Sequence, residues 1–367
     1  MKIGIVTQPL SSNYGGVLQN YALQLTLKRM GHTPYTLHYG KGRIIDWINL
    51  WIIYFIKQII LHPKRYNKPL GFKQFINKCE CPNVSDFVNR NINVTHHLGS
   101  YVDYNQLKEY NFEAYIVGSD QTWRPIYNKG RLLNDMFLKF AKKESNIKRI
   151  SYAASFGIDE WEFSNRQTKQ CRDLIHKFNA VSVREASGVV MCEKYFNVEA
   201  SHILDPTFLL SVDDYRTLIN HSDESTPDGD VLVYMLDLTA EKKSIVDNFC
   251  RKNNFKPFYV GVKNEEGILP SIESWLKGFD VAKYVITDSF HGTVFSIIFN
   301  IPFVSVANNR RGLSRFHSLL SIFNLEDRLV TPESEVNEIS TPDWGVINQI
   351  KKDWQEKSIN YLIENLK

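Results

Sequence analysis

The chain alternates short apolar runs, typical of strands, with segments whose apolar residues recur at helical spacing. This alternation constrains the fold more than any other feature of the sequence. Lys2 to Thr7 is a β-rich run that ends in the polar loop Gln8 to Gly16, and Val17 to Met30 follows with apolar residues at helical spacing. Gly31 ends that predicted helix, and Tyr35 to His38 begins another extended segment. A unit of this kind connects parallel strands, so the opening predicts a parallel sheet covered by helices.

The same order of elements recurs along the rest of the chain. Before Pro206, apolar runs that end in small or polar residues predict strands at Ala114 to Val117, Ile150 to Ala154 and Ala180 to Val183. After it, predicted strands and helices alternate as Val231 to Leu236, Ala240 to Asn253, Pro257 to Val260, Ser271 to Gly278 and Tyr284 to Thr287. Because ligands of open α/β sheets bind beyond the carboxyl ends of strands, we expect the loops to converge on one crevice.

The length of 367 residues fits two α/β lobes, each able to bury its own core. A polar stretch, His221 to Asp230, separates the two series of elements, and we place the boundary near Pro206. The predicted lobes are residues 1–206 and 207–367. The second closes with a charged amphipathic helix, Asn348 to Lys367.

Charge and cysteine content exclude several classes of function. The formal net charge of +4 is spread along the chain without a long Lys/Arg block, which argues against a nucleic-acid partner. The cysteines other than Cys79 and Cys81 are isolated, as in a reducing compartment, and the spacing of that pair is not a zinc spacing. We therefore expect no metal site.

The beginning of the chain shows no secretory signal, so we expect a cytoplasmic protein.

One strongly apolar segment, Ile44 to Leu61, departs from the α/β pattern. Asp46, Asn49 and Lys57 interrupt it, and it is short for a membrane span of about 20 apolar residues. It fits a buried or dimer-forming helix, which we favour, or an interfacial helix at the inner face of the membrane, near lipid-linked substrate. The first interpretation allows a homo-oligomer, and the second allows peripheral membrane contact.

Two loops after predicted strands are candidate sugar-binding loops. The first joins strand to helix and contains Asn13, Tyr14, Gly15 and Gly16, where the glycines permit close backbone approach and the helix N-terminus favours anions. It has neither the dinucleotide fingerprint nor the phosphate-loop pattern. The second contains Asp120, Gln121 and Trp123, the carboxylate, amide and indole that sugar sites use. In the alternative, Asp120 only caps a turn.

Arginines follow two other predicted strands. Arg184 lies at the end of a buried strand, where it could bind a carboxylate or phosphate in bidentate fashion, or form an internal ion pair with Glu185 or another acid. Arg310, Arg311 and Arg315 follow the predicted strand at residues 301–306. They suit either an anionic donor or a solvated basic surface.

The sharpest feature is the polar cluster Asp288 to Gly292, between an apolar strand and the apolar helix Val294 to Phe299. His291 begins that helix, and the positive helix end favours the neutral imidazole, which can accept a proton. Asp288 either opposes this effect or orients the ring. The sequence alone also allows a structural histidine here.

Five segments together resemble the polysaccharide pyruvyl transferase family, whose members attach pyruvate as a ketal to sugar hydroxyls of bacterial cell-surface glycans, using phosphoenolpyruvate. They are NYGGVLQNYALQ at residues 13–24, GSDQTW at 118–123, SVREASG at 182–188, DPTFLL at 205–210 and DSFHGTVFSIIFNIPFV at 288–304. The resemblance implies two Rossmann-like lobes similar to the glycosyltransferase B type, with the active site in the cleft between them.

The resemblance also implies roles for individual residues. It makes His291 the catalytic acid/base, with Asp288 beside it, and places Ser289 and Phe290 in the donor site. Where relatives carry an arginine this chain has Ser289, so donor binding falls to Arg184, Arg310, Arg311 or Arg315, or the donor differs. Asp120 and Gln121 would orient hydroxyls of a sugar or lipid-linked oligosaccharide acceptor. Phosphoenolpyruvate would be a co-substrate, and no cofactor is implied.

Two other functions remain open at this point. The first is a glycosyltransferase of similar fold that uses a nucleotide-sugar donor, which the replacement of the family arginine by Ser289 makes a rival. The second is a non-catalytic glycan-binding or assembly protein that keeps the fold without the chemistry.

Overall fold

A computed structural model describes residues 1–39, 48, 51–52, 54–56, 81–99, 102–144, 146–220, 226–308 and 312–367. Its strands are β1 (Lys2–Val6), β2 (Thr33–Thr36), β3 (Ala114–Val117), β4 (Lys148–Ser151), β5 (Ser182–Val183), β6 (Ser201–His202), β7 (Val231–Tyr234), β8 (Pro257–Tyr259), β9 (Tyr284–Thr287), β10 (Phe303–Val306) and β11 (Leu329–Val330).

The helices that connect these strands are α1 (Tyr14–Arg29), α2 (Pro82–Asn91), α3 (Tyr104–Leu107), α4 (Arg131–Asp135), α5 (Asn165–Ile175), α6 (Ala186–Met191), α7 (Val212–Ile219), α8 (Ala240–Asn253), α9 (Ile272–Val281), α10 (Phe290–Ile298), α11 (Ser314–Ile322) and α12 (Trp344–Asn365). Short 3₁₀ turns lie at Lys108–Tyr110, Lys139–Ala141, Pro206–Leu209 and Glu326–Arg328, and a π turn at Cys192–Phe196.

Two parallel sheets form the centres of the two lobes, as the sequence predicts. The first sheet has the order β2-β1-β3-β4, and isolated bridges connect β5 to it beyond β4, with β6 paired to β5. The second has the order β11-β10-β9-β7-β8, and every pair within it is parallel. The carboxyl ends of the strands in each sheet share one edge, which directs the following loops to one side of each lobe.

Two helices begin earlier than their apolar periodicity predicts, and side-chain caps explain both. The Asn13 carboxamide accepts a hydrogen bond from the Gly16 N–H, so α1 includes Tyr14 and both glycines. The Ser289 hydroxyl accepts from the Gly292 N–H, so α10 already includes Phe290 and His291. Capping by Asn and Ser satisfies N–H groups that a first helical turn leaves without partners. The polar residues of both motifs therefore lie in first helical turns.

A continuous apolar core joins the two lobes. Val17 and Leu18 of α1 belong to the same buried cluster as Phe208, in the crossing segment, and as Trp275 and Phe295 of the second lobe. Large apolar contacts of this kind restrict relative motion of lobes more than polar ones do.

The last helix, α12, returns to the first lobe. Leu362 packs with Ile3 and Ile5, and the Tyr361 hydroxyl donates a hydrogen bond to the Ser151 carbonyl at 2.8 Å. The two sheets lie on either side of residue 206, and the helix predicted to close the second lobe contacts both: Ile347 near its start belongs to the cluster that includes Phe295 of the second lobe, whereas Leu362 near its end packs on the first sheet. Its amphipathic face was visible in the sequence, whereas the surface that it covers was not.

Most of the apolar segment predicted at residues 44–61 lies outside the described residues, so its two interpretations stay open. Of its described positions, Ile48, Ile52, Phe55 and Ile56 are exposed. None of the helices within the described residues is long and apolar enough to cross a membrane.

Candidate active site between the lobes

A cavity of about 310 Å³ opens between the two lobes at the carboxyl ends of their strands. First-lobe loops and second-lobe segments contribute to its wall, and most of the lining residues lie in the motifs identified above. The lining residues are Ser12, Asn13, Asp120, Gln121, Tyr234, Leu236, Asp288, Ser289, Phe290, His291, Arg315 and Phe316.

Three helices begin at this cavity. The residues that precede or open α1, α10 and α11 are among those that line it, and the first turn of each of these helices lacks acidic residues. The N-terminus of a helix carries a partial positive charge and N–H groups that can bind anions. The arrangement therefore favours a negatively charged ligand at the junction of the lobes.

His291 lies in the first turn of α10 and faces the first lobe. A Cβ atom on Gly15 would lie 2.0 Å from the imidazole Nδ1, so only glycine leaves room for the ring at this position. On the other side of the ring, Nε2 lies 3.7 Å from Oδ2 of Asp205. The imidazole is thus held between a backbone from one lobe and a buried carboxylate, with 8% of its side chain exposed.

Asp205 is the buried carboxylate of the site, and it belongs to the DPTFLL segment that links the lobes. Its Oδ2 accepts hydrogen bonds from Arg184 Nη1 at 2.6 Å and from Ser119 Oγ at 3.0 Å. Its Oδ1 accepts from the N–H and the hydroxyl of Thr207. Burial by itself raises the pKa of this carboxyl, but the nearby His291 and Arg184 outweigh burial and hold the pKa well below its usual range.

Arg184 forms the internal ion pair that the sequence allowed, and its partner is Asp205 rather than Glu185. Glu185 accepts its hydrogen bonds from residues 155–157. The Arg184 guanidinium lies 4.5 Å from the ring centre of Phe290, and its Nε and Nη2 have no hydrogen-bond partner within the described part of the chain. Burial lowers the pKa of Arg184, but the surrounding acids outweigh burial and raise it.

Arg315 brings a second guanidinium to Phe290, with its Cζ 5.3 Å from the ring centre. Burial and then the charge of Arg184 lower the pKa of Arg315 to about 10, so the group stays protonated at neutral pH. Unlike Arg184, it lines the cavity directly. The predicted donor residues Arg310 and Arg311 lie outside the described residues.

Asp120 occupies a strained position on the first-lobe side of the cavity. Its φ angle is +71°, in the left-handed region that non-glycine residues rarely adopt. The carboxylate accepts a hydrogen bond from Asn13 Nδ2 at 3.0 Å, and one oxygen lies 3.7 Å from Arg184 Nη2. Gln121 follows it on the cavity wall and accepts a hydrogen bond from Arg124. The loop does more than complete a turn, because it places a carboxylate and an amide on the wall.

The prediction that Trp123 contacts an acceptor is wrong. Its indole is 0% exposed, stacks on Phe137 at 4.9 Å between ring centres, and donates from Nε1 to the Met136 carbonyl. Tyr14, predicted on the acceptor side, is also buried, and its hydroxyl donates to the Pro270 carbonyl of the second lobe. Both aromatic side chains stabilise the protein around the site rather than face a ligand.

Asp288 is one of the residues that line the cavity, but its carboxylate is hydrogen-bonded to groups other than His291. Its carboxylate accepts from Lys242 Nζ at 2.5 Å and from the N–H groups of Leu236 and Asp237 at 2.6 and 3.1 Å. The structure therefore gives Asp288 the role of holding the loop after β7. The carboxylate that lies within 4 Å of the imidazole, among described residues, is that of Asp205.

The sequence-based site omitted several residues that the structure brings together. Asp205 appeared only within a family motif, without a role of its own. Its partners Ser119, Arg184 and His291 are between 21 and 86 residues away in the chain, and no local pattern connects them. Tyr234, Leu236 and Phe316 line the cavity as well.

Comparison with known proteins gives a family match over most of the chain. The family described as Polysaccharide pyruvyl transferase matches residues 13–310. No curated protein has a significant match to this sequence.

Solved structures resemble this chain at low sequence identity. MurG of Acinetobacter baumannii is 12% identical, with 98% of this chain and 93% of that chain covered and a TM-score of 0.44. The UDP-N-acetylglucosamine 2-epimerase from Rickettsia bellii is 12% identical (99% and 98% covered, TM-score 0.41). The UDP-GlcNAc 2-epimerase from Methanocaldococcus jannaschii is 10% identical (98% and 92% covered, TM-score 0.47).

Proposed function

The chain belongs to the polysaccharide pyruvyl transferase family, and from this premise we propose that it transfers pyruvate from phosphoenolpyruvate to sugar hydroxyls, as a ketal. The observation that supports this proposal most is the convergence of His291, Arg315 and three helix N-termini on one cavity between the lobes. The acceptor would be a sugar of a cell-surface polysaccharide, free or linked to a lipid.

The two arginines at the cavity support a donor that carries a carboxylate and a phosphate. Arg315 lines the wall. Arg184 lies 4.5 Å from the ring centre of Phe290 and has two guanidinium nitrogens without a hydrogen-bond partner within the described residues. A volume of about 310 Å³ is at the lower end of small-molecule sites and suits a compact donor. In this proposal Arg315 takes the role of the arginine that relatives carry at the position of Ser289, and Arg310 and Arg311 remain further candidates.

The reaction consumes phosphoenolpyruvate and two hydroxyl groups of one sugar. The methylene carbon accepts a proton and becomes a methyl group, while the central carbon gains cationic character and forms a bond to the first hydroxyl oxygen. The second hydroxyl oxygen then bonds to the same carbon as the C–O bond to phosphate breaks. One hydroxyl proton replaces the proton delivered to carbon, and the other leaves with inorganic phosphate.

His291 fits the acid and base steps, because an imidazole exchanges protons efficiently near neutral pH. Arg315 and the helix N-termini would stabilise the charge that develops on the departing phosphate. Asp120 and Gln121, from the first lobe, would exchange hydrogen bonds with sugar hydroxyls. The strained backbone of Asp120 is consistent with a residue held in place for binding.

Thermal-shift titration tests the donor. Phosphoenolpyruvate, inorganic phosphate and a panel of nucleotide-sugars would each be added to the full chain and to the Arg315→Met variant. We expect phosphoenolpyruvate to raise the melting temperature of the wild-type chain more than equimolar phosphate does, and to lose most of that effect in the variant. Stabilisation by a nucleotide-sugar alone would contradict the proposal and favour a glycosyltransferase.

A further inference from the structure

We propose that Asp205 is the positioning residue of His291: it holds the imidazole with Nε2 turned inward, and so makes Nδ1 the nitrogen that exchanges protons with the substrate. This inference rests on the proposed acid/base role of His291. It also reassigns the orienting role that the sequence suggested for Asp288.

The burial of the two imidazole nitrogens supports this orientation. Nε2 is buried and has no hydrogen-bond partner among the described residues, and the carboxylate oxygen Oδ2 of Asp205 lies 3.7 Å from it. Nδ1 lies on the side of the ring next to Gly15, at the junction of the lobes, and the side chain lines the cavity. Unlike Nε2, Nδ1 is not fully buried, so it is the ring nitrogen that a substrate in the cavity can reach.

Groups other than the imidazole fix the position of the Asp205 carboxylate. Oδ1 of Asp205 accepts two hydrogen bonds from Thr207, and Oδ2 accepts one each from Arg184 and Ser119. An ionised carboxylate can only accept hydrogen bonds, and the low pKa of this carboxyl keeps it ionised. Its negative charge, 3.7 Å from Nε2, therefore favours the neutral imidazole whose proton is on Nε2, which leaves the lone pair of Nδ1 free to take a proton.

The other charged groups near the imidazole are held by other contacts and do not orient the ring. Arg184 is bound to the same carboxylate, and Asp120 accepts from Asn13. Asp288 is paired with a buried lysine, and the Arg315 guanidinium lies against Phe290. When Nδ1 accepts a proton, the buried charge of Asp205 is thus the counter-charge positioned to stabilise the imidazolium.

Nitrogen-15 NMR of the full chain with labelled histidine tests the inference without any substrate. His291→Gln identifies the signals of His291 by their loss. In the wild-type chain at alkaline pH we expect the tautomer protonated at Nε2, and in Asp205→Asn we expect that preference to be lost. Ser119→Ala, which removes a hydrogen bond but leaves the carboxylate, should keep it.

A wild-type tautomer protonated at Nδ1 would overturn the inference, and so would an unchanged tautomer in folded Asp205→Asn. If Asp205→Asn does not fold, the tautomer of His291 in the wild-type chain is by itself the test of the inference. In turnover, we expect Asp205→Asn to lower kcat about 10²-fold or more, with a smaller change in KM for phosphoenolpyruvate. Failure of the donor hypothesis would appear only in turnover and binding, because the tautomer is measured on the free protein.

Discussion

Gly15 of the first lobe and His291 of the second are in direct contact, and a single added methyl group on Gly15 would overlap the imidazole, 2.0 Å from Nδ1 and 2.1 Å from Cγ. The ring contacts the backbone of α1 because that residue has no side chain. The contact between the lobes therefore requires both the glycine of the first motif and the histidine of the last one.

Gly15→Ala should displace the imidazole and lower turnover while the chain still folds. A displacement of about 1 Å at a reacting group costs on the order of 10²-fold in rate, and we expect a loss of that size in kcat. The matched control is Gly118→Ala, because a Cβ there meets its nearest side-chain atom at 3.4 Å, an ordinary contact. Equal activity of the two variants would show that the contact with His291 is not needed.

The buried carboxylate of Asp205 should make stability depend on acid pH. Its folded-state pKa lies well below the value of about 3.9 in unfolded chains, so the unfolded chain binds the proton first as the pH falls. The contribution to stability is complete above the unfolded pKa and is lost as the pH falls from there toward the folded pKa. Denaturant unfolding of the wild-type chain and Asp205→Asn across this range measures it.

In that comparison, Asp205→Asn should lower the free energy of unfolding at neutral pH by about 3–5 kcal/mol, because it leaves the buried Arg184 without its partner. The difference from the wild-type chain should shrink toward acid pH. A difference that stays constant with pH would contradict the assignment of a low pKa to this carboxyl.

Trp123 should behave as a core residue and not as a sugar platform. Trp123→Ala should lower the free energy of unfolding by about 3–5 kcal/mol, because it opens a cavity beside Phe137. Thermal or denaturant unfolding measures this loss. Unchanged stability together with a higher KM for the acceptor would instead support the original prediction of a ligand-binding indole.

We expect Asp288 to stabilise the fold by pairing with the buried ammonium group of Lys242. Asp288→Asn leaves a buried ammonium without its carboxylate and should cost about 3–5 kcal/mol of stability. The double variant Asp288→Asn with Lys242→Met removes both charges and should recover part of that loss. Denaturant unfolding of both single variants and of the double variant measures these losses. If the loss in the double variant equals the sum of the losses in the two single variants, the pair is not coupled.

Much of the fold followed from local sequence patterns. The strands Ala114–Val117 and Tyr284–Thr287 and the helix Ala240–Asn253 have the predicted bounds, because apolar period and flanking turn residues act over a few positions. The convergence of Asn13, Asp120 and His291 on one cavity followed from the rule for strand ends.

Other features depend on long-range contacts that no local pattern contains. Trp123 lies in a polar loop, and only packing against Phe137 decides that its indole is buried. The partner of Asp288, Lys242, lies 46 residues earlier on another helix. Likewise, the sequence allowed an internal ion pair for Arg184, but it could not choose Asp205 over the adjacent Glu185.

The measurement that tests the proposed reaction most directly is mass spectrometry of an oligosaccharide fraction from the source cells, incubated with the full chain and phosphoenolpyruvate. We predict glycans heavier by one pyruvate less one water, with an equal amount of inorganic phosphate, and neither product with His291→Gln. Glycans that gain a sugar residue from added nucleotide-sugars, with phosphoenolpyruvate left unchanged, would contradict pyruvyl transfer.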